Sequence, residues 1–235
     1  MNTPATVRFQ ALTSKALVPA LCLALASAHL QAADLTLKVV DKQPASELDA
    51  SIRALLQPMA IQLLDGDSPV HEFWFLKEIP LQSKPASAAK ALDAVKETTL
   101  IGAAAIGQSR RDYKDNELGQ GVYTMRFSLQ PNDGDHLGTA DHPYFLVLIP
   151  ARLDTAPDGL ATYRAMTKAS GRGTASGHPI ILSLRPVSSS EGELPKLTEP
   201  ASEHKAIRLK VAGTFGGEGA ELVFDLVYLG TGHIQ

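Results

Sequence analysis

Thiol chemistry has almost nothing to work with in this chain. Cys22 is the one cysteine among 235 residues, and it lies in a segment that export would remove. A thiol nucleophile and a disulfide framework are therefore excluded from the mature protein, and the fold must rest on its core. After residue 33 no run reaches the ~18 consecutive apolar residues that a membrane-spanning helix needs. There is no basic tract, which argues against nucleic acid as a partner. Nucleophile motifs are equally sparse. G-x-S-x-G does not occur, and Ser87-Ala-Ala-Lys90 matches S-x-x-K without S-D-N or K-T-G beside it. The glycines of GTFGGEG miss the G-x-G-x-x-G spacing, so no dinucleotide site is implied.

What is present begins with an export signal. Arg8 and Lys15 form a positive start without any acidic residue, and ALVPALCLALASA follows as an apolar stretch of signal-peptide length. Small residues at Ala28, Ala32 and Ala33 predict cleavage after Ala33, with Ala28 the alternative. Leu21 stands where a lipid-attachment motif wants a small residue, which disfavours Cys22 as a lipid anchor. The expectation is a signal peptide over 1–33 and a periplasmic or secreted protein with no transmembrane segment after cleavage. Loss of Arg8 and Lys15 leaves 20 basic against 25 acidic residues, a net charge of −5 where the whole chain carries −3.

The rest reads as strands. Leu35, Leu37 and Val39 alternate with polar residues, and Asp65-Gly66 turns between two apolar runs as a hairpin. In HEFWFL both parities carry large apolar groups, which predicts a strand covered on both sides. TTLIGAAAIGQ is a strand of small residues that admits close packing. Tyr123, Met125, Phe127 and Leu129 alternate with Thr124, Arg126 and Ser128, the pattern of a half-buried strand with the first four in the core. YFLVLI predicts a buried strand, IILSLRPV another, and a last hairpin turns at GGEG. Helices are expected after Ser46, from Pro85 to about Lys96, and from Asp158 to Ala169 with Leu160 and Tyr163 inward. Strands come in adjacent pairs rather than in a βαβ rhythm. The fold class is therefore mainly β: an antiparallel β-sandwich of about nine strands with two or three short helical insertions, one domain over 34–235.

Chemistry concentrates in one loop. Residues 132–142 pack three aspartates, two histidines and two glycines between the two best strands. Asp133 and Asp135 flank Gly134 at a spacing used by calcium loops, although the closing Glu of an EF-hand is missing. His136, Asp141 and His142 add imidazole and carboxylate suited to zinc or copper. The candidate metal ligands are thus Asp133, Asp135, His136, Asp141 and His142, for a divalent metal such as Ca, Zn or Cu. Against this stands the reading of Asn-Asp-Gly-Asp as ordinary turns. His71 and His178 are the histidines that an enzyme would have to recruit from elsewhere. His71 reads as a strand-end residue, Trp74 as core, and residues 110–117 as a solvated mixed-charge run.

HEFWFLKEIPL and GVYTMRFSLQPNDGDHLGTADHPYFLVLIPA resemble a group of exported bacterial proteins predicted from environmental genomes, over most of the mature chain. The resemblance implies an envelope protein built as a β-sandwich and carries no activity, ligand or catalytic residue onto these positions. The functional expectation is a non-enzymatic exported envelope protein that binds a small ligand, a metal or another envelope protein. The alternative is a metal-dependent enzyme using the 132–142 loop.

Overall fold

The structure, a computed structural model, describes residues 35–131, 140–188, 192–201, 204–230 and 232. Ala33–Gln235 makes one compact unit. Its strands in chain order are β1 (Thr36–Asp41), β2 (Met59–Asp65), β3 (Ser68–Phe75), β4 (Ile79–Pro80), β5 (Leu100–Ile106), β6 (Arg110–Arg111), β7 (Glu117–Leu118), β8 (Gly121–Leu129), β9 (Tyr144–Pro150), β10 (Ile180–Pro186), β11 (Lys196–Ala201), β12 (His204–Phe215) and β13 (Glu218–Leu229). Two α-helices, α1 (Ala50–Arg53) and α2 (Tyr163–Gly171), and two 3₁₀ turns, η1 (Ala88–Ala94) and η2 (Ala151–Leu153), join them.

The mainly-β expectation holds, but the two sheets of a sandwich do not form. Eleven strands make a single mixed sheet in the order β1-β2-β3-β5-β8-β9-β10-β13-β12-β11, while β4 pairs in parallel with β12. The remaining two, β6 and β7, pair with each other. The sheet curls. Phe75 of β3 and Phe224 of β13 meet edge to face across the interior, ring centroids 6.4 Å apart, although four strands lie between theirs in the sheet. One apolar core fills the inner face, drawing on β2, β3, β5, β8, β9, β10, β12 and β13.

Local chemistry explains the turns and close contacts. The β12–β13 hairpin turns at Gly216 and Gly217, both at positive φ, as a two-residue turn that matches strand twist demands. Gly102 of β5 leaves room for nothing else, since an added Cβ would lie 2.2 Å from the Trp74 carbonyl oxygen. Trp74, on the other face of β3 from Phe73 and Phe75, is buried in the core as well, with the Lys42 carbonyl accepting its indole N–H at 3.0 Å. This is the two-sided cover that HEFWFL predicted.

The half-buried reading of β8 needs correction. Tyr123, Met125 and Phe127 are core as expected, but Leu129 is 40% exposed at the strand's end. Thr124, Arg126 and Ser128, expected to face water, are buried. Ser128 donates to the Glu97 carboxylate at 3.3 Å, and for Thr124 and Arg126 the cause is Asp154, just beyond η2. Its carboxylate takes Arg126 Nε and Nη2 at 2.7 and 2.8 Å and the Thr124 hydroxyl at 2.5 Å. The guanidinium also donates to the carbonyls of Thr98 and Ala156, both at 2.9 Å. The helices shift as well. The first is a single turn capped by Asp49, and α2 begins a turn later than expected, capped by Thr162. That phase buries Met166 and leaves Tyr163 exposed.

Removing one member of the buried pair strands the other's charge, at a cost of about 3–5 kcal/mol. Urea denaturation of Asp154→Asn and Arg126→Met should each show a loss of that order. The double variant Arg126→Met/Asp154→Leu should lose clearly less than the two single losses added together.

Candidate functional site

β9 is buried on both faces, and the way its outer face is covered creates the best candidate site. Inward, Tyr144, Leu146 and Leu148 join the main core. Outward, α2 packs Met166 and Ala169 over Val147 and Ile149, and the 110–118 segment lays Tyr113 against Phe145. Between these two covers runs a groove of about 340 Å³. Phe145, Val147 and Ile181 form its floor, Tyr163 and Thr167 of α2 one wall, and Lys114 and Asn116 the other, with His178, Ser128 and Gln130 at the rim. An apolar floor with a few polar groups at its edge is the usual make-up of a small-ligand site. A larger cleft of about 790 Å³ lies beside the Arg126 pair. Its rim sets Lys77, Lys96, Glu78, Glu97 and Asp158 side by side, the mixture of a solvated surface.

The second wall is held by a buried aspartate. Asp112 accepts the backbone N–H groups of Lys114 and Asn116 on one oxygen, at 2.9 and 2.8 Å, and that of Ile181 on the other, at 2.8 Å. Burial pushes its carboxyl up, against the lowering effect of those hydrogen bonds. The 110–117 run is therefore not simply a solvated loop: Asp112 and Tyr113 are 1% and 3% exposed and fasten it to β10. The opposite wall is fixed by Ser170, whose hydroxyl donates to the Leu148 carbonyl at 2.6 Å and accepts from the Ile180 N–H at 2.9 Å.

The chemically dense loop opens at the same end of β8 and β9. Gln130 N–H donates to the Pro143 carbonyl at 2.7 Å and closes its base. Of the five candidate metal ligands, Asp133, Asp135 and His136 lie outside the described residues. Asp141 lies 3.7 Å from Arg185. His142 is partly buried and its imidazole is lowered by burial and by the Arg185 charge, with Asp141 opposing. A guanidinium at that position favours an anion over a cation. Among the described residues no group of three or more His, Cys, Asp or Glu side chains is placed to hold a metal ion.

The other histidines stand apart. Tyr144 pairs with Leu184 and Leu148 with Ile180, so His142 and His178 lie beyond opposite ends of the β9–β10 ladder, roughly 25 Å apart. His71 is not at a strand end; it pairs with Ile106 inside the sheet and is 5% exposed. Burial, then the charge of Arg110, pushes its imidazole down to about 3. Sequence reasoning missed the groove because it is made by two covers distant from β9 in the chain. The one available signal was Tyr113 and Leu118, apolar residues inside a charged run.

Compared with protein-family models, curated proteins and solved structures, the chain matches none. The likeness of its central stretches to exported environmental proteins receives no support there.

His71 gives a signed pH dependence. In the unfolded chain its imidazole titrates near 6.5, in the fold near 3. Below pH 6.5 the unfolded chain takes up a proton that the folded chain refuses, so this residue makes stability fall as pH falls, by up to about 1.4 kcal/mol per unit, until about pH 3. Urea unfolding at pH 7, 5.5 and 4.5 should show wild type losing stability relative to His71→Leu at each step. A difference that does not change with pH would mean the imidazole titrates normally.

Proposed function

We propose that this chain is an exported, non-enzymatic binding protein whose ligand is a small amphipathic molecule seated in the groove over β9. The observation that carries the reading is the groove's construction: an apolar floor from two strands of a rigid sheet, two independently fastened walls, and polar groups confined to the rim. Binding sites that rest on a sheet and are closed by side covers hold their shape without the ligand, which limits the entropy lost on association. The apolar part of the ligand would lie on Phe145, Val147 and Ile181. Its polar end would meet Lys114, Asn116 and His178, and the positive charge of Lys114 favours an anionic group there.

Export rests on the first 33 residues, whose charge, apolar core and small residues fit a cleaved signal. Expressed with those residues in a Gram-negative host, the protein should be recovered from the periplasm with Asp34 as its first residue. Recovery from the cytoplasm with Met1 retained would remove the envelope part of the proposal.

Ligand-observed NMR with a library of small aliphatic and aromatic acids tests the groove. Saturation transfer to one chemical group of compounds is expected for wild type. It should disappear in Thr167→Trp, whose indole fills the groove from the α2 wall while circular dichroism stays native. Transfer that persists in the filled variant would place binding elsewhere.

A further inference from the structure

A second set of polar groups lies on the inner face of the sheet, apart from the groove. The contact between Phe75 and Phe224 fixes how β3 and β13 face each other. Five antiparallel pairings separate these strands along the sheet, so they run in opposite directions. Four residues back from Phe75 and four on from Phe224 therefore lead to the same end of the interior, roughly 13 Å away. This brings His71 and Tyr228 to the same end of the interior. The side chains at Leu222, Phe224, Leu226 and Tyr228 all belong to the inner core, so the alternation holds up to Tyr228. The β12–β13 register shifts at that point, between Lys205 and Ala206. Such bulges commonly re-aim a side chain next to a site.

Arg110 closes this end. It lies on the short β6–β7 pair, outside the main sheet, and its guanidinium sits over the Tyr228 ring at 5.9 Å. Its charge also acts on His71. The donors here are unspent. Among the described residues Arg110 donates only to the Arg111 carbonyl, at a long 3.4 Å, and makes no ion pair. The neighbouring Asp112 makes no hydrogen bond to it, its oxygens accepting the backbone N–H groups of Lys114, Asn116 and Ile181, although its charge acts on Arg110. His71 Nδ1 is sealed from solvent with no hydrogen-bond partner, in a residue 95% of whose surface is covered, since 5% stays exposed. A buried polar atom left without a partner costs free energy, as does a buried cation whose donors are unfilled, and the charge of Asp112 offsets only part of the burial of Arg110. Both costs vanish if an anion occupies the place.

We propose that this end of the curled sheet binds a compact oxyanion, with Arg110 as its counter-charge and His71 and Tyr228 as further hydrogen-bond donors. The planar guanidinium fork suits a carboxylate or a phosphate. A neutral imidazole donates from whichever ring nitrogen keeps the proton, and a phenol donates its hydroxyl hydrogen. Entry requires movement of the Arg110 side chain, while its hairpin stays fastened to β10 through Asp112 and Tyr113. The charge of Glu199, which reaches Tyr228, sets a limit on how much negative charge the site accepts.

The test is thermal unfolding of the purified protein in sodium phosphate and in sodium acetate, each against sodium chloride at equal ionic strength. An anion at ten times its dissociation constant should raise the melting temperature by about 3 °C beyond chloride. The rise should be absent in Arg110→Gln and intact in Arg111→Gln, a change at the exposed neighbour. Phosphate acting alone would mark a phosphate ligand and acetate acting alone a carboxylate; either supports the site. If Arg110→Gln does not fold, nitrogen-15 NMR of the histidine rings in wild type decides, because the His71 signals should shift and saturate with added anion. No rise beyond chloride, an equal rise in Arg110→Gln, or unmoved His71 signals would each overturn the proposal.

Discussion

The Arg126 guanidinium is the constraint from which much of this structure follows. It projects from the middle of β8, on the face opposite the main core, and is covered. A charge in that position is tolerable only if it is paired and its donors are filled, and Asp154 together with the Thr98 and Ala156 carbonyls fills them. That requirement fixes the path of the chain after β9. η2 must bring Asp154 back over β8, and the chain from there leads to α2, which then lies across Val147 and Ile149. The same network holds Thr98 at φ 73°, a left-handed conformation that a β-branched residue adopts only under restraint. Its N–H is bound to the Phe127 carbonyl and its own carbonyl to Arg126.

The groove is a consequence of this routing. β9 has an outer face as apolar as its inner one, and two covers reach it from opposite directions. One is α2, placed by the Arg126 pair. The other is the 110–118 segment, placed by Asp112. Neither covers the whole strand, and the space left between them is the proposed ligand site. The inner end of the sheet follows a different logic, since a short hairpin brings a cation to the end of the interior that His71 and Tyr228 share.

Strand identity was legible from the residues, and so was part of the core. Period-two alternation put Tyr123, Met125 and Phe127 inside, and the double-sided apolar pattern of HEFWFL and YFLVLI anticipated strands covered on both faces. The fate of Thr124, Arg126 and Ser128 was not legible, because their cover is 28 or more residues away and leaves no local mark. Pairs of strands announce hairpins, but whether successive hairpins join one sheet or divide into two depends on pairings that periodicity does not encode. The 132–142 loop drew attention through its composition. The groove and the inner cluster are assembled from other residues, Phe145, Tyr163 and His178 in one case and His71, Arg110 and Tyr228 in the other. Each of those residues is unremarkable in its own stretch of sequence.

The strand order has a bearing on how the chain completes itself. From β1 to β10 the long strands take their places in the order of synthesis, each hairpin adding to the one before. The last three are reversed: β13, the final strand, sits between β10 and β12. Until β13 emerges, β10 presents an unpaired edge, and β12 has only β11 and the two residues of β4 as neighbours. Such edges are templates for pairing with other chains. The sheet therefore stays open between β10 and β12 until the twelve residues of β13 are in place, so the hairpin turn at Gly216 and Gly217 does more than reverse the chain. It delivers β13 quickly to the gap and shortens the time for which that gap is open to a stranger.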